Sequence, residues 1–159
     1  MRRRQKGFSL IELLIVVAII LIIASIAIPS LINAKRSVNE ASAVNTVKTI
    51  NSAQISYNSA YPNVGFASTL TVLGGMSCTP PSSTSACLID SQIASGTKNG
   101  YTFTLTAASG SPAATYQVIG SPIVPNQTGV RSFCSFADSV LRTQISPIAN
   151  CDNSVPPLQ

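Results

Sequence analysis

Histidine and tryptophan are absent from this chain, and charge is scarce: only 9% of its 159 residues are Asp, Glu, Lys or Arg. Without histidine, the Ser-His and Cys-His pairs that activate most protein nucleophiles cannot be built. Zinc has no imidazole to bind, and the four cysteines, Cys78, Cys87, Cys134 and Cys151, include no close pair of the kind a thiolate site uses. The acids beyond the N-terminal region, Glu40, Asp90, Asp138 and Asp152, are too few and too scattered for a carboxylate pair or a calcium cage. Aromatic residues make up 6%, which gives no support to an electron-transfer role. These shortages argue against an enzyme and call for no metal and no cofactor.

What the chain has in abundance is aliphatic side chain near its start. A basic leader, Met1-Arg2-Arg3-Arg4-Gln5-Lys6-Gly7, gives way to Phe8-Ser9-Leu10-Ile11-Glu12. The sequence then stays apolar to Ile32, and over 8–32 only Ser9, Glu12, Ser25, Pro29 and Ser30 interrupt it. Crossing a hydrocarbon layer takes about 20 helical residues, so 8–32 is long enough. A secretory signal peptide has a shorter apolar core, no acid and a small-residue cleavage site. An ordinary signal anchor leaves Glu12 unexplained, because a carboxylate inside a span is costly unless it is paired or shallow. Arg2, Arg3, Arg4 and Lys6, set against Lys35 and Arg36 beyond the span, place the leader in the cytoplasm and everything after about Asn33 outside. Removing the leader's four positives from the formal +5 leaves +1, six Lys and Arg against five acids. The basicity is therefore a topology signal, and no specific nucleic-acid contact is expected.

The order Lys6-Gly7-Phe8-Ser9-Leu10-Ile11-Glu12 ahead of an apolar helix resembles the processing and methylation signature of type IV pilins and pseudopilins. The resemblance covers about the first third of the chain. It implies that a prepilin peptidase and methyltransferase in the membrane cuts after Gly7 and methylates Phe8. It also implies that Glu12 acts in assembly, that pilus assembly machinery builds a helical homopolymer, and that an inner-membrane single-pass precursor becomes an extracellular filament. An ammonium on Phe8 and a carboxylate on Glu12 attract far more strongly in an apolar medium than in water. Residues four apart share a helix face, so Glu12 could satisfy its own N-terminus or, as the family is thought to do, that of a neighbouring subunit. Pro29 falls where many family members bend the helix. It cannot donate to the Ser25 carbonyl and its ring crowds that turn, which predicts a kink or a loosened stretch.

Past the span, Ala43, Val47, Ile50, Gln54, Tyr57 and Tyr61 recur at helical spacing along one stripe, with Ser42, Asn45, Thr49, Ser52 and Ser56 opposite. This predicts an amphipathic continuation of the helix over 33–60, packed on its own domain and ended where Tyr61 precedes Pro62. An outward-facing globular domain over 61–159 follows. Within it, 64–99 reads as irregular, with a short helix over 68–73 or 85–94. Period-two alternation makes 101–107 a strand whose Tyr101, Phe103 and Leu105 face the Tyr57 stripe. A second strand over 115–120 is stopped by Pro122 and Pro125, and 130–136 with 140–142 form a hairpin around Ala137-Asp138-Ser139. The tail, 153–159, reads as loose. The fold class is α+β and pilin-like: a long N-terminal helix, membrane-spanning in its first half, packed on a small antiparallel meander.

An even number of cysteines in an outward-facing domain points to disulfides. Of the three possible pairings the sequential one, Cys78 with Cys87 and Cys134 with Cys151, is expected, each worth about 3 kcal/mol by loop closure. A Cys134 to Cys151 loop resembles the disulfide-bounded region of type IV pilins. The major pseudopilins of type II secretion usually carry an acidic calcium loop near the C-terminus, for which this chain lacks the acids. Asn126-Gln127-Thr128 fits a glycosylation sequon, but ahead of Gly129 it reads as a turn. The leading expectation is a structural subunit of a type IV pilus. A minor pilin or secretion pseudopilin is the alternative within the family, and a single-span anchored periplasmic enzyme or binding domain the alternative outside it. Adhesion, motility, DNA uptake and secretion leave no separate mark on these residues.

Overall fold

The computed structural model describes residues 8–75 and 80–159. They form the helices α1 (Leu10–Ala60), α2 (Leu70–Gly74) and α3 (Ser91–Ala94) and the strands β1 (Thr97–Lys98), β2 (Tyr101–Ala107), β3 (Tyr116–Pro122), β4 (Ser132–Phe136) and β5 (Arg142–Gln144). The strands make one antiparallel meander in the order β1-β2-β3-β4-β5. Two compact units result, one ending at Lys35 and the other spanning Arg36–Gln159.

α1 stays helical through Pro29 and ends at Ala60, where the Tyr61 N–H closes the last turn on the Tyr57 carbonyl at 2.8 Å. From residue 46 onward its exposed side is rich in Ser and Thr, which are poor helix formers. Thr46, Thr49, Ser52, Ser56 and Ser59 each donate to the carbonyl four residues back, so the hydroxyls are satisfied within the helix. Packing on the other side holds the segment. Val47, Ile50 and Tyr57 are buried against Tyr101, Phe103, Leu105, Val118 and Phe133 of the sheet and against Leu73. Along β2 the burial alternates strictly, with Thr102, Thr104 and Thr106 exposed, so one sheet face covers the helix.

Four buried polar side chains of α1 interrupt this apolar face, and each is satisfied, Thr46 by the Ser42 carbonyl within the helix and the other three by the rest of the domain. Gln54, fully buried, forms a two-way bond with the Ala67 backbone: its amide donates to the carbonyl at 2.9 Å and its Oε1 accepts the N–H at 2.8 Å. Asn51 donates to Ser135 Oγ on β4 at 2.9 Å and accepts from the Tyr116 hydroxyl on β3 at 3.1 Å. Glu40 accepts from the backbone N–H groups of Val130 at 2.9 Å and Arg131 at 3.2 Å, and from Arg131 Nε at 2.9 Å.

Several boundaries differ from the sequence reading. Both short-helix windows hold a helix, α2 capped by Thr69 and α3 by Asp90. β1 lies in the stretch read as irregular; it pairs with β2 across Asn99-Gly100, both at positive φ, as a two-residue hairpin turn requires. β3 runs on to Pro122, which sits opposite Tyr101. The proline is tolerated there because the Ile123 N–H supplies the next bond, to the Gly100 carbonyl at 2.9 Å. β4 and β5 start two residues later than expected: Glu40 takes the Val130 and Arg131 N–H groups ahead of β4, and ahead of β5 Asp138 takes the Val140 N–H at 3.0 Å and the Arg142 guanidinium at 2.8 Å, closing a wider turn.

The tail is not loose. The Thr143 N–H donates to the Pro156 carbonyl at 3.0 Å, the Leu158 N–H donates to the Leu141 carbonyl at 2.8 Å, and Val155 is buried. Prolines lack a donor but keep an acceptor, so the segment can lie along β5. It is tethered by the Cys134–Cys151 disulfide, which carries a second small core of Ile148 and Val155. Cys87 is also disulfide-bonded, whereas Cys78 lies outside the described residues. Residues 126–129 form a turn, with the Asn126 N–H donating to the Gly129 carbonyl at 2.9 Å.

The Glu40 cluster gives a pH dependence with a definite sign. Burial pushes its pKa up, but the Val130 and Arg131 hydrogen bonds outweigh this and hold it below its ordinary value of 4.5. A carboxylate held below its unfolded-chain value stabilises the fold above that value, and the contribution is lost as pH falls through the folded pKa. Glu40→Gln should therefore lower stability at neutral pH by about 2 kcal/mol. In thermal melts of both proteins, the gap should close well below pH 4.5; a gap independent of pH would assign the effect to shape rather than charge.

Candidate functional site

The first turn of α1 gathers the residues singled out at the N-terminus. Ser9 precedes the helix, and its carbonyl accepts the first helical bond, from the Leu13 N–H at 3.3 Å. The Glu12 carboxylate reaches back to accept the Ser9 N–H through Oε2 at 3.0 Å. This is the backward half of a capping box, in which the third helical residue satisfies a donor that the helix leaves orphaned. The position also suits the carboxylate electrostatically, at the positive end of the helix dipole. The Ser-x-x-Glu spacing ahead of an apolar run was the readable signal for this bond; the sequence reading explained Glu12 by charge alone. Phe8 lies one residue before this cap and is 78% exposed. Gly7 and the leader lie outside the described residues.

Behind the cap the helix buries nothing. Every Leu, Ile and Val from Leu10 to Ile32 is exposed, from 80% at Leu10 to 40% at Ile32. At about 1.5 kcal/mol or more for each such side chain left in water, the total penalty runs to tens of kcal/mol. This surface must be covered by lipid or by other helices. It is the one stretch, among the described residues, long and apolar enough to cross a membrane. Between Glu12 and Lys35 there is no charged residue, and the Ser25 hydroxyl is satisfied by the Ile22 carbonyl at 2.7 Å.

The sequence-predicted sites thus separate into two groups. Phe8 and Glu12 both lie at the head of the exposed helix, and Pro29 lies farther along the same stretch. Cys87, Cys134 and Cys151 belong to the globular unit and hold it together. That unit presents three ion pairs among the described residues: Asp90 with Lys98 at 3.1 Å, Glu40 with Arg131 at 2.8 Å and Asp138 with Arg142 at 2.8 Å. They tie the α3 cap to β1, α1 to the loop before β4, and the β4–β5 turn to β5. No group of three or more His, Cys, Asp or Glu is placed to hold a metal, among the described residues.

Residues 2–28 match the family model described as the prokaryotic N-terminal methylation motif. This is the type IV prepilin signature, and it supports a type IV pilin-like or pseudopilin precursor. The match spans the leader and the start of α1 and leaves the globular unit outside it. No curated protein and no solved structure matches the chain.

Because the exposed helix and the globular unit are separate compact bodies, removing residues 1–35 should leave the fold of 36–159 intact. The truncated protein is expected to be monomeric by size-exclusion chromatography without detergent and to unfold cooperatively, whereas the full chain should sediment with membranes. Aggregation or loss of cooperative unfolding in the truncated form would show that the globular unit needs the apolar segment.

Proposed function

We propose that this chain is a structural subunit of a type IV pilus. It enters the inner membrane as a prepilin with its leader in the cytoplasm. A prepilin peptidase hydrolyses the Gly7–Phe8 peptide bond, leaving a carboxylate on Gly7 and an ammonium on Phe8, which is then methylated. The subunit polymerises through 8–32 and displays the stapled domain on the surface of an extracellular filament. The observation that carries this reading is a long apolar helix, uncovered throughout, headed by one carboxylate next to the processing boundary.

Chemistry at the helix head favours assembly over simple anchoring. Among the described residues Glu12 spends Oε2 on the Ser9 N–H, which leaves Oε1 for a cation. The cut creates a cation on Phe8. Once helices pack side by side and exclude water, an ammonium and a carboxylate left apart each bear a desolvation cost, and pairing relieves both. A neighbour offset along the filament axis can bring its own Phe8 to this Glu12. Within the pilin group a pilus subunit fits better than a secretion pseudopilin, because the C-terminal region closes with Cys134–Cys151 and holds only Asp138 and Asp152 as acids after residue 130.

Two measurements test the proposal. The intact mass of the mature protein should equal residues 8–159 plus one methyl group; a product that keeps the leader, or is trimmed elsewhere, would overturn the processing site. Glu12→Ala should still insert in the membrane but lose filament, because an uncompensated buried charge costs about 3 kcal/mol or more. A drop of more than about tenfold in sheared filament is expected on that penalty. Filament at the wild-type level would remove Glu12 from assembly.

A further inference from the structure

The β-sheet has two edges, and the chain treats them differently. β1 is two residues long and carries Lys98, so it offers little to an incoming strand. β5, the other edge, is covered: the chain returns from Cys151 and lays 155–158 along it.

This covering strap is built as a strand. Arg142 and Pro157 face each other as an antiparallel pair, flanked by the Thr143 N–H on the Pro156 carbonyl at 3.0 Å and the Leu158 N–H on the Leu141 carbonyl at 2.8 Å. Its side chains reach both cores. Val155 is buried in the second one with Cys134, Ile148 and Cys151, and Leu158 packs against the main one. The approach to the strap is fixed as well, since Arg142, itself buried, donates to Asn153 Oδ1 at 2.9 Å. The Cys134–Cys151 disulfide holds the chain four residues before Val155, so a second chain competes for β5 against an effective concentration of about millimolar.

An added strand normally leaves a new edge as open as the one it covers. Here it does not. Backbone groups alternate in direction along an antiparallel strand; Pro156 and Leu158 turn theirs toward β5, so Val155 and Pro157 turn theirs outward. Pro157 has no N–H to offer, and the Val155 N–H is bent back to the Asp152 carbonyl at 3.2 Å. The outward side of 155–157 therefore offers no donor to a further strand.

Without the strap, β5 would present the Leu141 carbonyl and the Thr143 N–H at an uncovered edge. Such an edge is self-complementary: a second copy of β5, turned antiparallel about a two-fold axis, meets each donor with an acceptor. We propose that 155–158 is a self-terminating edge strand. It closes β5 against pairing with β5 of a second copy, and Pro157 stops the sheet from growing beyond it. β5 is thus a latent contact surface between copies, opened only when the strap lifts. The inference rests on the fold of the globular unit and not on the proposed filament.

Hydrogen exchange read by mass spectrometry tests this on the full-length protein, at low and high protein concentration and with detergent in excess so that the apolar helices do not bring copies together. In the wild type the 141–145 amides should be protected equally at both concentrations. Val155→Ser with Leu158→Ser removes the apolar grip and should speed exchange of the Thr143 amide by about tenfold or more at low concentration. Protection should return at high concentration as copies pair, while the β2 amides, 101–107, stay unchanged throughout. Exchange at Thr143 that stays slow in the double variant would show that the strap does not close β5; protection that is lost and does not return with concentration would remove the second copy as partner. Either result overturns the proposal. Pro157 is exposed, so Pro157→Val disturbs neither core and tests the strap even if the double variant fails to fold. By restoring an outward donor it should make the protection of 155–158 rise with concentration. A Pro157→Val protein that behaves as the wild type at both concentrations would overturn the self-terminating strand.

Discussion

The constraint on which the rest depends is that α1 is one continuous helix of 51 residues serving two different media. Over 10–32 it has aliphatic side chains on all sides and buries none of them; a helix hydrophobic all round needs an apolar surrounding. From about residue 40 the same helix becomes one-sided, with a stripe from Ala43 to Tyr57 buried and Asn45, Thr49, Ser52 and Ser56 exposed. The change falls at Lys35-Arg36, where charge first reappears. Everything in the globular unit is then built on a single face of the helix. The sheet is a simple meander because it has one stripe to cover, and a meander does this with short local connections.

Polar groups fix how that covering is aligned. An apolar stripe alone specifies alignment weakly, since Val47, Ile50 and Ala53 are all aliphatic and make no directional contacts. Glu40, Asn51 and Gln54 specify it closely. Each is buried and each finds its partners on a different part of the domain: the loop before β4, the pair β3 and β4, and the Ala67 backbone. A one-turn slip strands all three, and a buried polar group left without a partner costs about 1 to 3 kcal/mol. The three side chains therefore specify a register that hydrophobic packing sets only weakly.

How much of this could be read in advance follows from where each signal resides. The helix end at Ala60 and the strand Tyr101–Ala107 are written locally, in Tyr61-Pro62 and in strict alternation, and both are found as read. The hairpin turn Asn99-Gly100 was equally local but passed over, because its first strand is only two residues long. Gln54 was recognisable as the odd member of an apolar stripe, yet its partner Ala67 is 13 residues away in an irregular stretch with no pattern. Glu40 read as one more scattered acid. Its partners lie about 90 residues away, and no periodicity marks such a pair. The ordered tail is a similar case: 153–159 was read as loose, when the Pro156 carbonyl accepts from the Thr143 N–H.

The head of α1 shows how one residue can satisfy local and assembled requirements at once. In the single chain Glu12 completes the helix start by taking the Ser9 N–H, a bond that needs only the Ser-x-x-Glu spacing. Asp at the same place has a shorter reach. Gln would keep the backward hydrogen bond but bring no charge to an ammonium. Under the proposed function, glutamate is the side chain that caps the helix and still offers negative charge to a neighbour's N-terminus in a medium where charge must be paired. The capping bond also positions the carboxylate before any neighbour arrives, so less side-chain freedom is lost when the pair forms. Under that proposal a local signal, legible in seven residues, would serve polymerisation as well: the group that starts the helix would already be held where the next subunit must find it.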